Sequence, residues 1–471
     1  MSSGNSVTRS GYAGALLFGY CPLMRRLLPL AAALTVVFAL SALAVGCGGA
    51  NDKPGLVTSW GKDGVAKLPG FEVKQTIEGR SGRIVAVGTY KGNFAQVVRL
   101  LPNGSLDPSF GKDGVVRWPF HMFQGRFPNG MDYLGWDEVA LLPNGRIALA
   151  GTNILGIVDD KSTLVVSELD QSGKVVESFG QSGYFTADKR LYDCSKIGKG
   201  CERQFFALAE KKTTCTRGPA GLAAQGGKLV ISADRFCNDS DPILHIVVMR
   251  LNANGTRDSS FGKKGETTVS GTAPLVVSAP LIVLPNGHLV VAGTTPKGGM
   301  VQLTELLPNG ALDRSFGQKG VVFTRAAGGT PGNLTALMSD EHGTLSLTGN
   351  NDEGPFLVRF TSSGRPLDFR TGSHRPPSIH VKGNYQNFGG ATFGFAYGVF
   401  AQLPSGELVG AGNRLARITS DGVLDRSYPP QKLYGGSGWI NGLLAASDGT
   451  VLVTLQNDAS GGYKAYLARY R

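Results

Sequence analysis

A short recurring motif constrains the fold of this chain more than any other feature. Close copies occupy residues 100–116 (LLPNGSLDPSFGKDGVV), 251–266 and 306–322, and three weaker copies follow the same pattern. An apolar strand, a turn ending in glycine and an alternating strand precede each copy. This second motif occurs seven times, with turn glycines Gly82, Gly145, Gly227, Gly287, Gly343, Gly406 and Gly449. Such repetition indicates stacked supersecondary units.

The turn chemistry of the first motif predicts a hairpin. Pro102 suits position i+1 of a type I turn and Asn103 suits i+2. Gly104 can adopt the left-handed conformation that a following bulge requires. The sequence therefore predicts a three-residue hairpin loop that places Arg99 opposite Asp107.

The same spacing predicts further ion pairs in other units. Arg250 is placed opposite Asp258 and Arg417 opposite Asp425, each cross-strand pair contributing about 0.2–1 kcal/mol. Glu305 is placed opposite Asp313, so we expect that unit to differ locally.

Two hairpins per unit give four antiparallel strands, and stacking such sheets radially buries both faces of each. We therefore predict an all-β fold, a seven-bladed β-propeller over residues 56–471. The seventh unit ends at AYLARYR without the trailing segment, whereas residues 58–65 (TSWGKDGV) carry that segment with no unit before it. We expect the N-terminal segment to join the last blade and close the ring.

These motifs resemble the delta-60 repeat family, whose pattern is a leucine-rich strand, P-D/N-G and L-D-x-S-F-G-x-x-G. The resemblance is specific around Phe110, Phe261 and Phe316, and weaker where Phe369 and Tyr428 lack the following glycine. It implies a propeller in a bacterial surface or exported protein. It implies no catalytic residues and no cofactor.

The first 46 residues have the features of an export signal. Arg25 and Arg26 precede about 20 apolar residues, and the run ends in a sequence that resembles the lipobox before Cys47. We predict that residues 1–46 are removed, that Cys47 carries lipid and that residues 47–55 form a tether. A plain secretory signal or a transmembrane anchor is the alternative. Either Met1 or Met24 can be the start.

The net charge is +12, and three of the basic residues precede Cys47 where no acidic residue occurs, leaving +9 on the remainder. This balance favours anionic neighbours, or simply gives a soluble surface. We predict a lipid-anchored monomer on the extracytoplasmic face of the bacterial cell membrane, with a cell-wall glycan or surface protein as partner and without nucleic acid.

Four cysteines lie in the predicted propeller, and an exported protein meets an oxidising environment. In a four-stranded blade, the inter-blade loops and the loops between second and third strands share one face. This topology favours disulfides between Cys194 and Cys201 and between Cys215 and Cys237. Other pairings and a zinc site stay open.

Three long insertions, residues 118–136, 186–217 and 370–395, connect successive blades and must share the face opposite the P-N-G turns. Long loops in compact domains are usually functional or disordered. The first residues of the innermost strands should ring the channel mouth on this insertion face. The candidate ligand residues are Glu72, Lys74, Trp136, Asp137, Asn333, Tyr397, Trp439 and Asn441.

Catalytic motifs are missing from the sequence. The six histidines are scattered singly, and neither H-E-x-x-H nor G-x-S-x-G occurs. We predict no catalytic residues, no metal and no cofactor, while calcium stays open. The first hypothesis is a non-catalytic binding or scaffold module for a protein or glycan. The alternative is a polysaccharide hydrolase or lyase with its site on the insertion face.

Overall fold

The computed structural model forms one compact unit over Asp52–Arg471. The predicted leader, the tether up to residue 54 and Cys47 lie outside the described residues. No helix within the described part of the chain has the length and apolarity needed to cross a membrane. The described residues are 55–90, 94–118, 133–155, 161–187, 215–216, 218–237, 241–269, 279–295, 300–325, 331–351, 354–368, 378–380, 399–411, 414–419, 423, 425–429, 431–434, 439–457 and 464–471.

Seven antiparallel sheets make up the fold, as the sequence predicts. β1 is Val65–Leu68. Blade 1 contains β2 (Phe71–Glu78), β3 (Ile84–Tyr90), β4 (Phe94–Leu100) and β5 (Val115–Arg117), with a 3₁₀ turn at Arg80–Gly82. Blade 2 contains β6 (Tyr133–Leu141), β7 (Ile147–Leu155), β8 (Lys161–Leu169) and β9 (Tyr184–Thr186). Blade 3 contains β10 (Cys215–Thr216), β11 (Pro219–Gln225), β12 (Lys228–Cys237), β13 (Asp241–Leu251) and β14 (Glu266–Val269).

The remaining blades repeat this order. Blade 4 contains β15 (Leu281–Val283), β16 (Leu289–Thr294), β17 (Met300–Leu306) and β18 (Val321–Arg325). Blade 5 contains β19 (Pro331–Ser339), β20 (Leu345–Asn351), β21 (Gly354–Phe360), β22 (Pro366–Leu367) and β23 (Ser378–His380). Blade 6 contains β24 (Val399–Gln402), β25 (Leu408–Ala411), β26 (Arg414–Ile418) and β27 (Gln431–Lys432). Blade 7 contains β28 (Trp439–Ala445), β29 (Val451–Asn457) and β30 (Lys464–Tyr470).

The ring is closed as predicted, because β1 is the fourth strand of blade 7. β1 pairs antiparallel with β30, with Lys67 opposite Tyr466. The first strands of successive blades contact one another around the ring, and β28 contacts β2 to complete it. These first strands therefore line the central channel.

The recurring motif couples each blade to the next. The aromatic residue of one blade's S-F-G segment packs on the P-N-G glycine of the following blade: a Cβ at Gly104 (φ +85°) would lie 2.7 Å from the Trp60 ring. The glycine after each such aromatic donates a backbone hydrogen bond to the following turn, as Gly61 does to the Asn103 carbonyl at 2.7 Å. Equivalent bonds join Gly111 to Ser172, Gly180 to Asn254, Gly262 to Asn309 and Gly317 to Ser363.

The hydrophobic core lies between blades. Six clusters of buried side chains each join two adjacent sheets. Phe110 and Trp136 illustrate this in the cluster between blades 1 and 2. Each sheet is therefore buried on both faces, and the ends of the strands form the turn face and the insertion face.

Candidate functional site

Bulges deform the first strands near the insertion face. In β2 the pairing with β3 skips Lys74, in β6 the pairing with β7 skips Asp137, and in β28 the pairing with β29 skips Asn441. The same irregularity leaves out Ala220 in blade 3 and Thr335 in blade 5. Bulges re-aim side chains and are frequent beside active sites.

The bulged residues differ around the ring. The consecutive blades 7, 1 and 2 present an amide, an ammonium and a carboxylate, whereas blades 3 and 5 present a methyl group and a hydroxyl. The polar groups thus concentrate in one arc of the channel wall. We call the residues of this arc the polar sector; they are Glu72, Lys74, Asp137, Glu138 and Asn441.

Glycines on the second strands make room for the bulges. A Cβ at Gly88 would lie 1.9 Å from the Glu72 carbonyl oxygen, and one at Gly151 would lie 1.9 Å from the Gly135 carbonyl oxygen. The threonine after each glycine donates to the polar sector. Thr89 Oγ1 lies 3.3 Å from a Glu72 oxygen, and Thr152 Oγ1 lies 3.4 Å from Asp137 Oδ2.

An ion pair in β2 faces the carboxylate of the next blade. Lys74 Nζ lies 2.5 Å from Glu72 Oε1, with the lysine side chain 37% exposed. The charges of both residues act on Asp137: Lys74 lowers its pKa and Glu72 raises it. Blades 1 and 2 therefore contribute to a single electrostatic site.

Two adjacent carboxyl groups of β6 have raised pKa values. Burial raises the pKa of Asp137 to about 6, against the opposing effects of Lys74 and Thr152. Burial, together with the charge of Asp137, raises the pKa of Glu138 to about 8. At neutral pH the first group is therefore mainly ionised and the second mainly protonated. Carboxyl groups with separated pKa values can divide the roles of base and acid.

Hydrogen bonds from two amide side chains, Gln75 and Asn441, join neighbouring blades at the polar sector. Gln75 donates to Glu138 Oε2 at 2.9 Å and accepts from the backbone N–H of Val139 at 2.5 Å, which joins blade 1 to blade 2. Asn441 donates to Gln456 Oε1 at 2.5 Å and to the Val73 carbonyl at 3.2 Å, which joins blade 7 to blade 1. The polar sector is thus built across three blades.

The other predicted ligand residues are placed differently. Trp136 is fully buried and packs edge-to-face on Trp118 at 5.2 Å, so its ring belongs to the core. Asn333 and Trp439 lie in the first strands β19 and β28, and their side chains lie outside the described part. Tyr397 and most of the three insertions also lie outside it.

The structure gives the backbone positions of two of the four cysteines predicted to form disulfides. Cys215 and Cys237 are direct cross-strand partners in the register of β10 and β12. Their side chains, and the whole of Cys194 and Cys201, lie outside the described residues. Both disulfides therefore stay predictions.

Sequence reasoning missed the second carboxyl group and the residues that support it. Gln75, Glu138, Thr89, Thr152 and Gln456 all take part in the hydrogen bonds above. A signal for two of them was present, because the Gly-Thr dipeptide recurs near the end of the second strand at residues 88–89 and 151–152. Glu138 gave no such signal, because only the strand register and the hydrogen bond from Gln75 show its place beside Asp137.

A cavity of about 630 Å³ lies elsewhere, on the turn face between blades 1 and 2. Arg83 and Arg99 contribute to its wall, but both guanidinium groups bind Asp107. We place the candidate site at the polar sector, because burial raises the pKa values of Asp137 and Glu138 there, whereas the pKa of Asp107 is lowered.

Comparison with known proteins agrees with the fold. The chain is similar to the family described as "Domain of unknown function (DUF5122) beta-propeller" at residues 80–110 and 227–261. It contains propeller repeats of that kind. No curated protein matches it in sequence.

Solved structures with similar architecture share little sequence with the chain. The Hadza microbial sialidase Hz136 is 10% identical with a TM-score of 0.43, and the match covers 85% of this chain but only 65% of the sialidase. Hydrazine synthase of Kuenenia stuttgartiensis is 8% identical with a TM-score of 0.43, covering 85% and 96% of the two chains. The polysaccharide lyase Uly1 is 10% identical with a TM-score of 0.38, covering 85% and 77%. No residue role is transferred from these structures.

Proposed function

We propose that this propeller binds a glycan at the insertion-face mouth of its channel, through the polar sector. The observation that carries the proposal is the concentration of charged and amide side chains on the bulges of three consecutive blades. A ligand rich in hydroxyl groups can accept from Lys74 and donate to Glu72, Asp137 and the side-chain carbonyl oxygen of Asn441. Binding sites commonly combine a few such convergent polar groups with a concave wall.

The arrangement also suits an uncharged or mixed-charge ligand better than a strongly ionic one. Lys74 and Glu72 neutralise each other at 2.5 Å, and Glu138 is protonated at neutral pH. Only Asp137 then leaves a net charge in the polar sector. A cell-wall or environmental polysaccharide fits this balance.

The test is a glycan and peptidoglycan binding array with the mature chain, followed by titration of the ligand found. Asp137→Asn and Asn441→Ala should each weaken binding by more than about tenfold. Thr335→Ala is the matched control, because it changes a bulged residue outside the polar sector. Equal losses for all three variants, or no loss for the first two, would contradict the proposal.

A second candidate function is hydrolysis of the same class of ligand, and the separated pKa values of Asp137 and Glu138 favour it. Protonated Glu138 would donate its proton to the leaving oxygen of a glycosidic bond. Ionised Asp137 would accept a proton from the attacking water, whose oxygen forms the new bond.

Hydrolysis would give a bell-shaped pH profile with its optimum between about 6 and 8, because the base must be ionised and the acid protonated. The assay is release of reducing ends from candidate polysaccharides across this range. Glu138→Gln should abolish release and retain binding if the site is catalytic. Binding without product from the unmodified protein would leave the non-catalytic function alone.

The proposed setting is the extracytoplasmic face of the bacterial cell membrane, with lipid on Cys47 and the propeller monomeric. The support is the charged and apolar sequence before that cysteine. Labelling of cells with an alkyne fatty acid should mark the unmodified protein and leave Cys47→Ala unmarked. Equal labelling of both proteins would place the lipid elsewhere.

A further inference from the structure

Each blade has a cluster of ionisable side chains on the turn face. It contains the residue after the first-hairpin glycine and a residue near the end of the third strand. In several blades an aspartate of the repeat motif joins them. In blade 1, Arg99 and Arg83 bind Asp107 at 2.9 and 3.2 Å. In blade 3, Arg250 and Lys228 bind Asp258 at 2.7 and 2.5 Å.

Blade 4 builds the same cluster from different chemistry. His288 follows the turn glycine, and Asp313 is the motif aspartate. Glu305 occupies the position at which blades 1 and 3 have arginine. His288 Nδ1 lies 2.7 Å from Glu305 Oε1 and 3.1 Å from Asp313 Oδ2. Two carboxyl groups here share one imidazole, with no arginine or lysine in the cluster.

The equivalent clusters of the other blades, as far as the structure describes them, all contain an arginine. Arg146 binds Glu168 in blade 2, Arg359 lies 3.9 Å from Asp340 in blade 5, Arg417 binds Asp425 in blade 6 and Arg469 binds Asp448 in blade 7. Blade 4 therefore lacks the arginine that the described clusters of the other blades contain.

Both carboxyl groups of the blade 4 cluster are buried. Glu305 is 5% exposed and Asp313 is 9% exposed. Glu305 Oε2 is buried and has no hydrogen-bond partner among the described residues. Buried carboxylate oxygens are normally paired or coordinate a metal. This oxygen is therefore available as a metal ligand.

We propose that His288, Glu305 and Asp313 bind a divalent first-row transition metal ion of the zinc type. One ligand atom from each residue lies within 4.8 Å of the others. An imidazole nitrogen and two carboxylate oxygens are ligands that zinc accepts in tetrahedral geometry, with a water in the fourth position. The imidazole disfavours calcium and magnesium, which prefer oxygen ligands.

The site is open enough to load and sits apart from the polar sector. The His288 side chain is 22% exposed, which leaves one side accessible to a water ligand. The cluster lies at the turn-face end of β16, whereas the polar sector lies at the insertion-face end of blades 7, 1 and 2. A structural metal here would supply the positive charge that an arginine supplies in the described clusters of the other blades. This inference departs from the sequence-based prediction of no metal.

The test is titration of the metal-free, tag-free oxidised protein with Co²⁺ and Zn²⁺. We expect one saturable Co²⁺ site with the visible absorption of a tetrahedral ion and without the thiolate charge-transfer band that cysteine ligands would give. Zn²⁺ should displace it and raise the unfolding temperature.

Three variants separate this site from other metal binding. His288→Ala should weaken the affinity by more than about tenfold, a loss already typical of outer-shell changes. Glu305→Arg recreates the Arg–Asp pair of blades 1 and 3, so it should fold normally and lose the absorption. Arg83→His places a histidine at the equivalent position of blade 1, beside Arg99, and should gain no site.

A spectrum unchanged in Glu305→Arg would overturn the proposal, as would the absence of any stoichiometric site in the unmodified protein. The second result would mean that the three side chains only pair with one another.

Discussion

The two ends of each blade use carboxyl groups in opposite ways. On the turn face, burial would raise the pKa of Asp107, but hydrogen bonds from Ser109 and the charge of Arg99 outweigh it and hold the pKa at about 2. On the insertion face, burial prevails and raises the pKa of Glu138 to about 8. The first arrangement stabilises a fixed charge and holds the fold together. The second keeps a proton available and is typical of a functional site.

This contrast explains why the residues of the turn face recur from blade to blade, whereas those of the insertion face vary. The arginine that binds the motif aspartate also stacks on the motif aromatic, as Arg99 does on Phe110 at 4.4 Å and Arg250 on Phe261 at 4.8 Å. Each such residue joins two blades, so the chain repeats it. The bulged residues are not part of the repeated motif, and their side chains differ from blade to blade.

The largest effect is expected from breaking the turn-face pair. Asp107→Ala leaves the guanidinium of Arg99 largely buried without its carboxylate, and should lower the free energy of unfolding by about 3–5 kcal/mol. Chemical denaturation measures this. Lys112→Ala, an exposed change in the same loop, is the control and should stay within about 0.5 kcal/mol. Equal losses would refute a special role for the pair.

The next effect concerns pH and has opposite sign at the two ends. The unfolded chain releases the Glu138 proton near pH 4.5, while the folded protein retains it to about pH 8. Stability should therefore fall as the pH rises through this window, by on the order of 4–5 kcal/mol. Asp107 instead contributes stability above its unfolded pKa of 3.8 that is lost as the pH falls towards 2.

Glu138→Gln tests the first of these slopes. The amide keeps the shape of the protonated carboxyl and cannot ionise, so the variant should gain stability relative to the unmodified protein from pH 5 to pH 8. Unfolding free energies at both pH values give the difference. A stability difference that does not change with pH would show that Glu138 ionises normally.

A smaller effect is expected from the lysine of the polar sector. Lys74→Met removes the charge that lowers the pKa of Asp137, so this pKa should rise above about 6. Carboxyl titration by NMR measures the shift. Lys67→Met, on the far strand of blade 7, should leave it unchanged. A fall in the Asp137 pKa, or no movement, would contradict the electrostatic coupling of blades 1 and 2.

The smallest effect is expected from Thr152→Val, which deletes one long hydrogen bond to Asp137. A neutral donor typically contributes about 0.5–1.5 kcal/mol, and the 3.4 Å separation places this bond at the weak end. Unfolding by denaturant should show a loss below about 1 kcal/mol. A loss of several kcal/mol would mean that Thr152 has a packing role.

The sequence was sufficient to predict the blades, their order and the closure, because each depends on local turn chemistry and repetition. The hairpin at Pro102 to Gly104 and the ion pair of Arg99 with Asp107 are confirmed in the structure. The local difference expected at Glu305 and Asp313 is also present.

The site was less predictable, because it depends on how first strands from different blades meet. The sequence identified Lys74 and Asp137 as first-strand residues. Their bulges shift the strand register, and no turn residue or spacing in the sequence predicts that shift. The partnership of His288 with two carboxyl groups was equally hidden. Glu305 lies 17 residues after His288, and the two side chains meet only through the strand pairing.

The seam between β1 and β30 has a further consequence for biogenesis. Gly55 and Arg471 exchange backbone hydrogen bonds of 3.0 and 2.9 Å, so the first and last described residues are neighbours. A nascent polypeptide that has not yet produced β30 has no partner for β1, and both flanks of the unfinished stack expose unpaired backbone. During synthesis the chain therefore keeps an unpaired sheet edge until the final seven-residue strand is complete.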